Sequence, residues 1–315
     1  MSKFLVTGGA GFIGSNIVKY ILRNDIGSVR IIDDLSSGKM KNIEPVMDSI
    51  EFIKGSIEDT KCVEKAVDGV DYVLHLAAIP SVPRSVEHPR MTNDANITGT
   101  LNMLIGARDA GVKRFVFSSS SSIYGDSEVM PKVETMTPNP ISPYGIHKLT
   151  GEYYCKVFYQ LYGLQTVSLR YFNVFGPSQD PNSEYAAVIP KFITMVLNDK
   201  SPTIFGDGEQ TRDFTYVENV IKANLCATQA DLGSGYGDVF NIACGTRISL
   251  NDLVSSINAI LGKNIDPVHL DPRPGDIKHS LAGVKKAAEK LKYTPDISLE
   301  KGIEMTIEWY KKQNG

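Results

Sequence analysis

Tyr144 and Lys148 stand four residues apart in the segment Tyr-Gly-Ile-His-Lys. On a helix that spacing puts both side chains on one face, one turn apart. An ammonium beside a phenol favours the phenolate, and a phenol titrating near neutrality can act as a general base. Ser142 and Pro143 just before Tyr144 read as a helix start, a serine N-cap followed by proline at the first helical position. In a chain with 14 tyrosines the spacing alone says little; position adds weight. A run of five serines, at 118–122, ends an apolar stretch that reads as the fifth strand of a sheet. At the carboxyl edge of a parallel sheet, where ligands bind, such a hydroxyl can bond the oxygen that Tyr144 deprotonates. The alternative leaves Tyr144 and Lys148 on a solvated helix face.

Gly8, Gly11 and Gly14 follow the first apolar stretch, and residues 9–14 satisfy G-x-G-x-x-G. A tight turn needs positive φ, a pyrophosphate needs bare backbone, and the helix must pack close to the strand. The helix N-terminus then offers free N–H groups and a partial positive charge to phosphate. Asp33 follows Gly14 by about twenty residues, the separation at which a carboxylate meets the adenosine ribose hydroxyls. It would repel a 2′-phosphate, so NAD is predicted rather than NADP, and its nicotinamide cation would add to the pull of Lys148 on the Tyr144 phenol. An ordinary strand–turn–helix connection is the alternative, weighed against strand, helix and acid all in their required places.

These residues need a frame. Apolar stretches at residues 3–7, 29–33, 51–54, 72–76, 114–118 and 166–170 read as buried strands, with helices predicted over 12–23, 61–68, 93–110 and 144–162. Such alternation predicts an α/β chain: a Rossmann-type, doubly wound parallel sheet covered on both faces. After about residue 172, Gly, Pro, Asn and Asp cluster at 173–182, 205–208 and 271–276. Long loops between short elements suggest a smaller C-terminal substrate-binding domain. The predicted division gives 1–172, plus about 215–244, to NAD, and 173–214 with 245–315 to the substrate.

Composition excludes several functions. The chain has 315 residues, 42% hydrophobic and 22% charged, with a net charge of −3 and no basic run of the kind that follows nucleic acid. Apolar runs fall short of a membrane span, and the first strand begins too early for a signal peptide. Four scattered cysteines read as reduced thiols in a cytoplasmic protein. The histidines form no ligand pair, so no catalytic metal is predicted.

Together, Thr7-Gly8-x-x-Gly11-x-x-Gly14, the serine run, Tyr144-x-x-x-Lys148 and the segment Arg170-Tyr-Phe-Asn-Val-Phe-Gly-Pro177 resemble the extended short-chain dehydrogenase/reductase family. The likeness covers essentially the whole chain. Gly206-Asp-Gly208 with Arg212-Asp-Phe214, and Arg273-Pro-Gly-Asp276, resemble the nucleotide-sugar branch. Within it the chain is most similar to UDP-N-acetylglucosamine 4-epimerases, on Ser81 to Ser85, Ser122 to Asp126, Gln179 to Asn182, Tyr185 to Lys191 and His279 to Ala282. The resemblance implies that Ser120 and Tyr144 touch the sugar O4 and that Lys148 bonds the nicotinamide ribose. It implies an NAD site of Gly8, Gly11, Phe12, Ile13, Gly14, Asp33, Asp34, Ser36, Ser37, Gly38, Ser56, Ile57, Leu76, Ala77, Ala78, Asn96, Ser118, Tyr144, Lys148 and Tyr171. For the UDP-sugar it implies Ser81, Arg84, Ser120, Ser121, Ser122, Tyr144, Asn173, Gln179, Ala187, Val188, Ile189, Pro190, Ile204, Phe205, Arg212, Arg273, Asp276 and Ser280.

The activity so implied is C4 epimerisation. Tyr144 takes the C4 hydroxyl proton as hydride passes to NAD, the 4-keto sugar turns over, and hydride returns to its other face. Serine at 280, near the C2 substituent by resemblance, leaves room for an acetamido group. Pro80 stands where acetamido-specific relatives have glycine, and Ser56 where the family usually has aspartate. The expectation is therefore action on UDP-hexoses and their N-acetyl forms alike, by a homodimer. Three other functions were weighed. A 4,6-dehydratase would want acids at positions 121 and 122, where serines stand. A UDP-glucuronate 4-epimerase would want a cation for the carboxylate, for which Arg84 is the candidate. An NAD-sensing regulator would commonly have lost the tyrosine or lysine.

Overall fold

The computed structural model describes residues 1–181, 187–272 and 278–314. The six expected strands are β1 (Ser2–Thr7), β2 (Gly27–Asp33), β3 (Ile50–Lys54), β4 (Tyr72–His75), β5 (Arg114–Ser120) and β6 (Thr166–Tyr171). A seventh, β7 (Val239–Ile242), joins them from the C-terminal half. The order across the sheet is β7-β6-β5-β4-β1-β2-β3, and every neighbouring pair is parallel. Strand order reverses between β1 and β4, so the chain leaves their carboxyl ends in opposite directions and opens a crevice there.

Alternation along each strand builds two apolar layers. Val6 and Val116 pack on one face with Ile17, Ile221 and Ile242, while Leu5, Phe115 and Phe117 pack on the other with Met103 and Phe158. The first face is covered by α1 (Phe12–Arg23), the second by α2 (Thr60–Val67), α3 (Gly99–Asp109) and α4 (Pro143–Tyr162). Ser142 caps α4 by accepting from the Gly145 N–H at 3.1 Å, and the helix stops at Gly163, whose φ is +73°.

The helix expected over 93–110 is three pieces. Pro89–Asn93 is α-helical, Asp94–Thr98 is a single π turn, and α3 follows. The wide turn holds Asn96, buried, against the loop after β4: its amide accepts from the Ile79 N–H at 2.7 Å and donates to the Ile79 carbonyl at 3.2 Å.

The C-terminal half adds α5 (Val188–Leu197), α6 (Val217–Gln229), α7 (Leu250–Leu261) and α8 (Leu299–Asn314). The middle of α6 packs on the sheet. The other three enclose a separate core of Ile189, Ile193, Phe214, Leu253, Ile257, Ile303 and Ile307. Between them run paired strands of two or three residues: Thr203–Phe205 beside Val268–Leu270, Thr211–Arg212 beside Ile248–Ser249, and Val174–Phe175 beside Thr215–Tyr216. The fold is a Rossmann-type α/β sheet with a smaller C-terminal unit. Asp213 joins the two, accepting from the N–H groups of Cys244, Gly245 and Ala282 at 3.1 to 3.2 Å. Burial pushes its carboxyl up to about 7 against those backbone bonds. Among the described residues, no helix is long and apolar enough to cross a membrane.

Candidate active site

A cleft of about 580 Å³ opens at the crevice between β1 and β4. Its floor is the glycine turn. Gly8 has φ +68°, and a Cβ there would lie 2.9 Å from the Ala77 backbone. A Cβ on Gly14 would lie 2.3 Å from the Gly8 carbonyl oxygen, so the start of α1 can sit this close to β1 only with glycine. The N-cap, Gly11, has no side chain to bond the first-turn N–H groups. They are left for an anion.

Asp33 ends β2 at the cleft wall. Its oxygens accept from the Ala10 N–H at 2.9 Å and the Leu35 N–H at 2.8 Å. Burial raises its carboxyl, and those two bonds pull it back. A Cβ on Gly38 would fall within 2.9 Å of both carboxylate oxygens, so Gly38 backs Asp33 instead of lining the cleft. Phe12, Ile13, Asp34, Ser36, Ser37, Ser56, Ile57, Leu76, Ala77, Ala78, Ser118 and Tyr171 do line it, as predicted. Asn96 does not: its amide is spent on Ile79. A glycine cradle, an uncapped helix N-terminus and a carboxylate at the end of β2 fit an extended dinucleotide. These residues would hold NAD.

Ser120, Ser121, Tyr144 and Lys148 meet in the same cleft. Strand β5 runs two residues past its predicted end, so Ser120 is its last residue. Lys148 Nζ donates to the Ser118 carbonyl at 2.7 Å and lies 5.9 Å from the Tyr144 ring centre. Burial pushes Lys148 down to about 8 and Tyr144 up to about 12, the latter opposed only by a hydrogen bond with Ser120. The ammonium alone therefore does not bring the phenol toward neutrality, and the expected lowering needs the nicotinamide cation as well. Lys148 is desolvated and committed to a carbonyl, so these residues alone keep Tyr144 protonated. The charge of an oxidised nicotinamide is left to lower it.

Asn173, at φ +36°, and Ala187 line this cleft and also a neighbouring pocket of about 290 Å³. That pocket adds Val188, Ile189, Phe205 and Arg212 from the predicted set. Gln179 lines the main cleft, with its Oε1 buried and unpartnered among the described residues. Several predicted residues lie outside both linings. Ile204 is fully buried in the third core, because alternation turns Thr203 and Phe205 to the pocket and Ile204 away. Pro190 is buried on α5 and lines neither cavity. Ser81 caps the short helix Val82–Glu87, on which Arg84 is exposed, and neither lines the cleft. Ser122 Oγ is buried and unpartnered among the described residues, outside the lining. Ser280 bonds Thr211 through its backbone and lines neither cavity. Arg273 and Asp276 lie outside the described residues.

The pocket also contains Lys191, Phe192, Thr203, Gln210 and Phe214, which were not predicted. Lys191 and Gln210 sit inside segments whose neighbours were recognised, but pattern alone does not say which members face inward. Glu152 was missed too. It stands one turn beyond Lys148 on the Tyr144 face of α4, and that spacing could have flagged it.

Residues 4–243 match the family described as the NAD dependent epimerase/dehydratase family. The structure superposes with a TM-score of 0.94 on a UDP-N-acetylglucosamine 4-epimerase from Methanobrevibacter ruminantium M1 in complex with UDP-N-acetylmuramic acid, 45% identical, covering 99% of each chain. With a UDP-glucose 4-epimerase from Thermotoga maritima, determined with UDP-glucose, the TM-score is 0.93 at 41% identity, covering 99% of this chain and 100% of that one. A UDP-glucose 4-epimerase of Mycolicibacterium smegmatis is 36% identical over 316 residues, 99% of both chains. With its glycine cradle, its Ser–Tyr–Lys cleft and these relatives, the chain belongs to the NAD-dependent epimerase/dehydratase family, in the extended short-chain dehydrogenase/reductase class, and its cofactor is NAD.

Proposed function

We propose that the chain catalyses C4 epimerisation of UDP-hexoses, interconverting UDP-glucose with UDP-galactose and UDP-N-acetylglucosamine with UDP-N-acetylgalactosamine. One observation carries the proposal. A cleft that combines a dinucleotide cradle with the Ser120, Tyr144 and Lys148 side chains adjoins, across Asn173, Val174 and Ala187, a second pocket lined by Arg212 and Lys191. NAD, when bound, supplies a hydride acceptor, a hydride donor once reduced, and a positive ring while oxidised. Tyr144 takes the C4 hydroxyl proton and returns it to the epimer. Ser120 bonds the same oxygen, and Lys148 keeps positive charge beside the phenol.

Both faces of the transient 4-keto sugar must meet the cofactor, so the hexose is held loosely and binding energy comes from UDP. Arg212 and Lys191 offer cations to the diphosphate, and Phe205 and Phe192 an apolar wall to the base. Arg273 and Asp276 join them in this proposal. Residues 1–172 and about 215–244 then serve the cofactor, and 173–214 with 245–315 serve UDP. Serine at 280 supports tolerance of an acetamido group. Arg84, exposed outside the cleft lining, favours neutral hexoses over uronates. Serines at 121 and 122 leave no acid for dehydration. The proposed state is a cytoplasmic homodimer. Ile146, Tyr153, Val157 and Leu161 lie 40 to 69% exposed along α4, an apolar stripe suited to pairing with α3 and α4 of a second copy.

The test is incubation of the purified protein with each of the four UDP-sugars and no added NAD, followed by separation of C4 epimers. Epimers are expected from all four. None from any of them would refute the proposal.

A further inference from the structure

Behind the catalytic side chains runs a buried polar chain of which Ser119 alone also lines the cleft. Ser119 Oγ donates to Glu152 Oε1 at 2.6 Å. Glu152 is paired at both oxygens with Arg170, through Nε at 2.8 Å and Nη2 at 2.7 Å. Arg170 Nη1 donates to the Tyr124 hydroxyl at 2.8 Å, and that hydroxyl donates to Asn241 Oδ1 at 2.7 Å. Asn241 Nδ2 ends the chain on the carbonyls of Lys132 at 2.9 Å and Gly283 at 3.2 Å. None of the five side-chain bearers is more than 4% exposed.

Stability alone is a poor reason for such an arrangement. Burying an ion pair costs desolvation that apolar replacements of similar volume would avoid. What it does provide is registry among parts that must act together. Helix α4 grips the end of β5 at two successive residues with side chains one turn apart: Lys148 holds the Ser118 carbonyl and Glu152 holds the Ser119 hydroxyl. The next residue is Ser120. The far end reaches Gly283, which also donates to the Lys132 carbonyl at 2.8 Å. Gly283 is three residues past Ser280, itself bonded to the strand that carries Arg212.

We propose that Ser119, Glu152, Arg170, Tyr124 and Asn241 form a positioning relay that fixes Ser120 against Tyr144 and Lys148 and ties that group to the substrate-side segment around Gly283. The inference rests on reading Ser120, Tyr144 and Lys148 as the catalytic group. None of the five touches the reacting atoms by this account; each acts through the alignment of those that do.

The test uses two mild substitutions that leave the ion pair intact, Tyr124→Phe and Ser119→Ala, and their combination. The full-length holoprotein is assayed on whichever UDP-sugar the wild type epimerises, for kcat, KM, bound NAD and melting temperature. Misplacement of a reacting group by a remote change can cost up to about a hundredfold, so kcat should fall about ten- to a hundredfold in each variant, with KM and bound NAD close to wild type. The double variant should lose less than the product of the single losses, because the links act in series. A kcat within about twofold of wild type in both single variants would overturn the relay. So would a loss of kcat matched by lost NAD and melting temperature, which is the signature of a structural role alone. Failure of the functional reading appears in the wild type; failure of the relay appears only in the variants.

Discussion

The main cleft, proposed for the cofactor, is floored by bare main chain, whereas the neighbouring pocket, proposed as the substrate end, is walled by side chains. Gly8 turns at positive φ, Gly14 lets α1 sit against the Gly8 carbonyl, and Gly11 leaves the first-turn N–H groups uncapped. The other end is a pocket of Phe205, Arg212, Lys191 and Gln210, on strands of two or three residues and the helix α5. The first kind of site depends on what is missing from a side chain, the second on which way side chains point. A pyrophosphate needs close approach and N–H donors, which backbone supplies wherever Cβ atoms are absent. A sugar nucleotide whose hexose must turn over needs adjustable polar groups around a firmly held anchor.

The contrast can be broken from either end. Gly14→Ala should have the largest effect. The new Cβ meets a carbonyl that cannot move without displacing the turn, so strain of about 1–3 kcal/mol is expected. Bound NAD, read from the absorbance of the purified protein, should be lost, and activity with it. Retained NAD would mean that the backbone cradle is not what holds the cofactor.

Tyr144→Phe touches neither end. It should leave NAD and UDP-sugar binding intact while kcat falls about 10²- to 10⁴-fold, the share a general base supplies. Near-normal turnover would remove Tyr144 from the mechanism.

Arg212→Ala tests the side-chain end. A charge-assisted bond to phosphate contributes about 1.5–3 kcal/mol, so KM should rise about ten- to a hundredfold while bound NAD stays unchanged. Loss of NAD in this variant would show that the two ends are not separate sites.

A pH profile is expected to show the smallest change. Burial lowers Lys148 to about 8, so the ammonium is present below that pH and lost above it. Support for the phenolate then fades, and kcat should decline as pH rises through about 8. A flat profile up to pH 9.5 would contradict the lowering of Lys148 by burial.

The same contrast explains what was legible in the sequence. The glycine turn, Asp33 and the Tyr144–Lys148 pair were readable because each rests on local rules, and the structure brings them to one cleft. The substrate end was readable only as segments. Ile204 was placed in the site and is core, while its neighbour Phe205 faces the pocket; strand pairing with Val268–Leu270 decides that, and no local signal carries it. Asn96 was taken as a cofactor contact; it stands in a π turn inside the expected helix and bonds the Ile79 backbone, neither of which a local signal carries. Strand β7 was missed as an element since it is four residues long and its sheet neighbour, β6, lies far off in sequence. Tyr144 was expected to be lowered by Lys148 and a nicotinamide cation together; burial, which spacing does not reveal, pushes the phenol up and leaves more of that lowering to the cofactor.

The central claim is that the hydride leaves C4 and returns to C4 within one turnover, on a cofactor the protein does not release. A UDP-hexose carrying deuterium at C4, turned over by the purified protein in ordinary water with no added NAD, tests it directly. The C4 epimer is expected to retain deuterium at C4. Epimer formed with hydrogen from solvent at that carbon would contradict it.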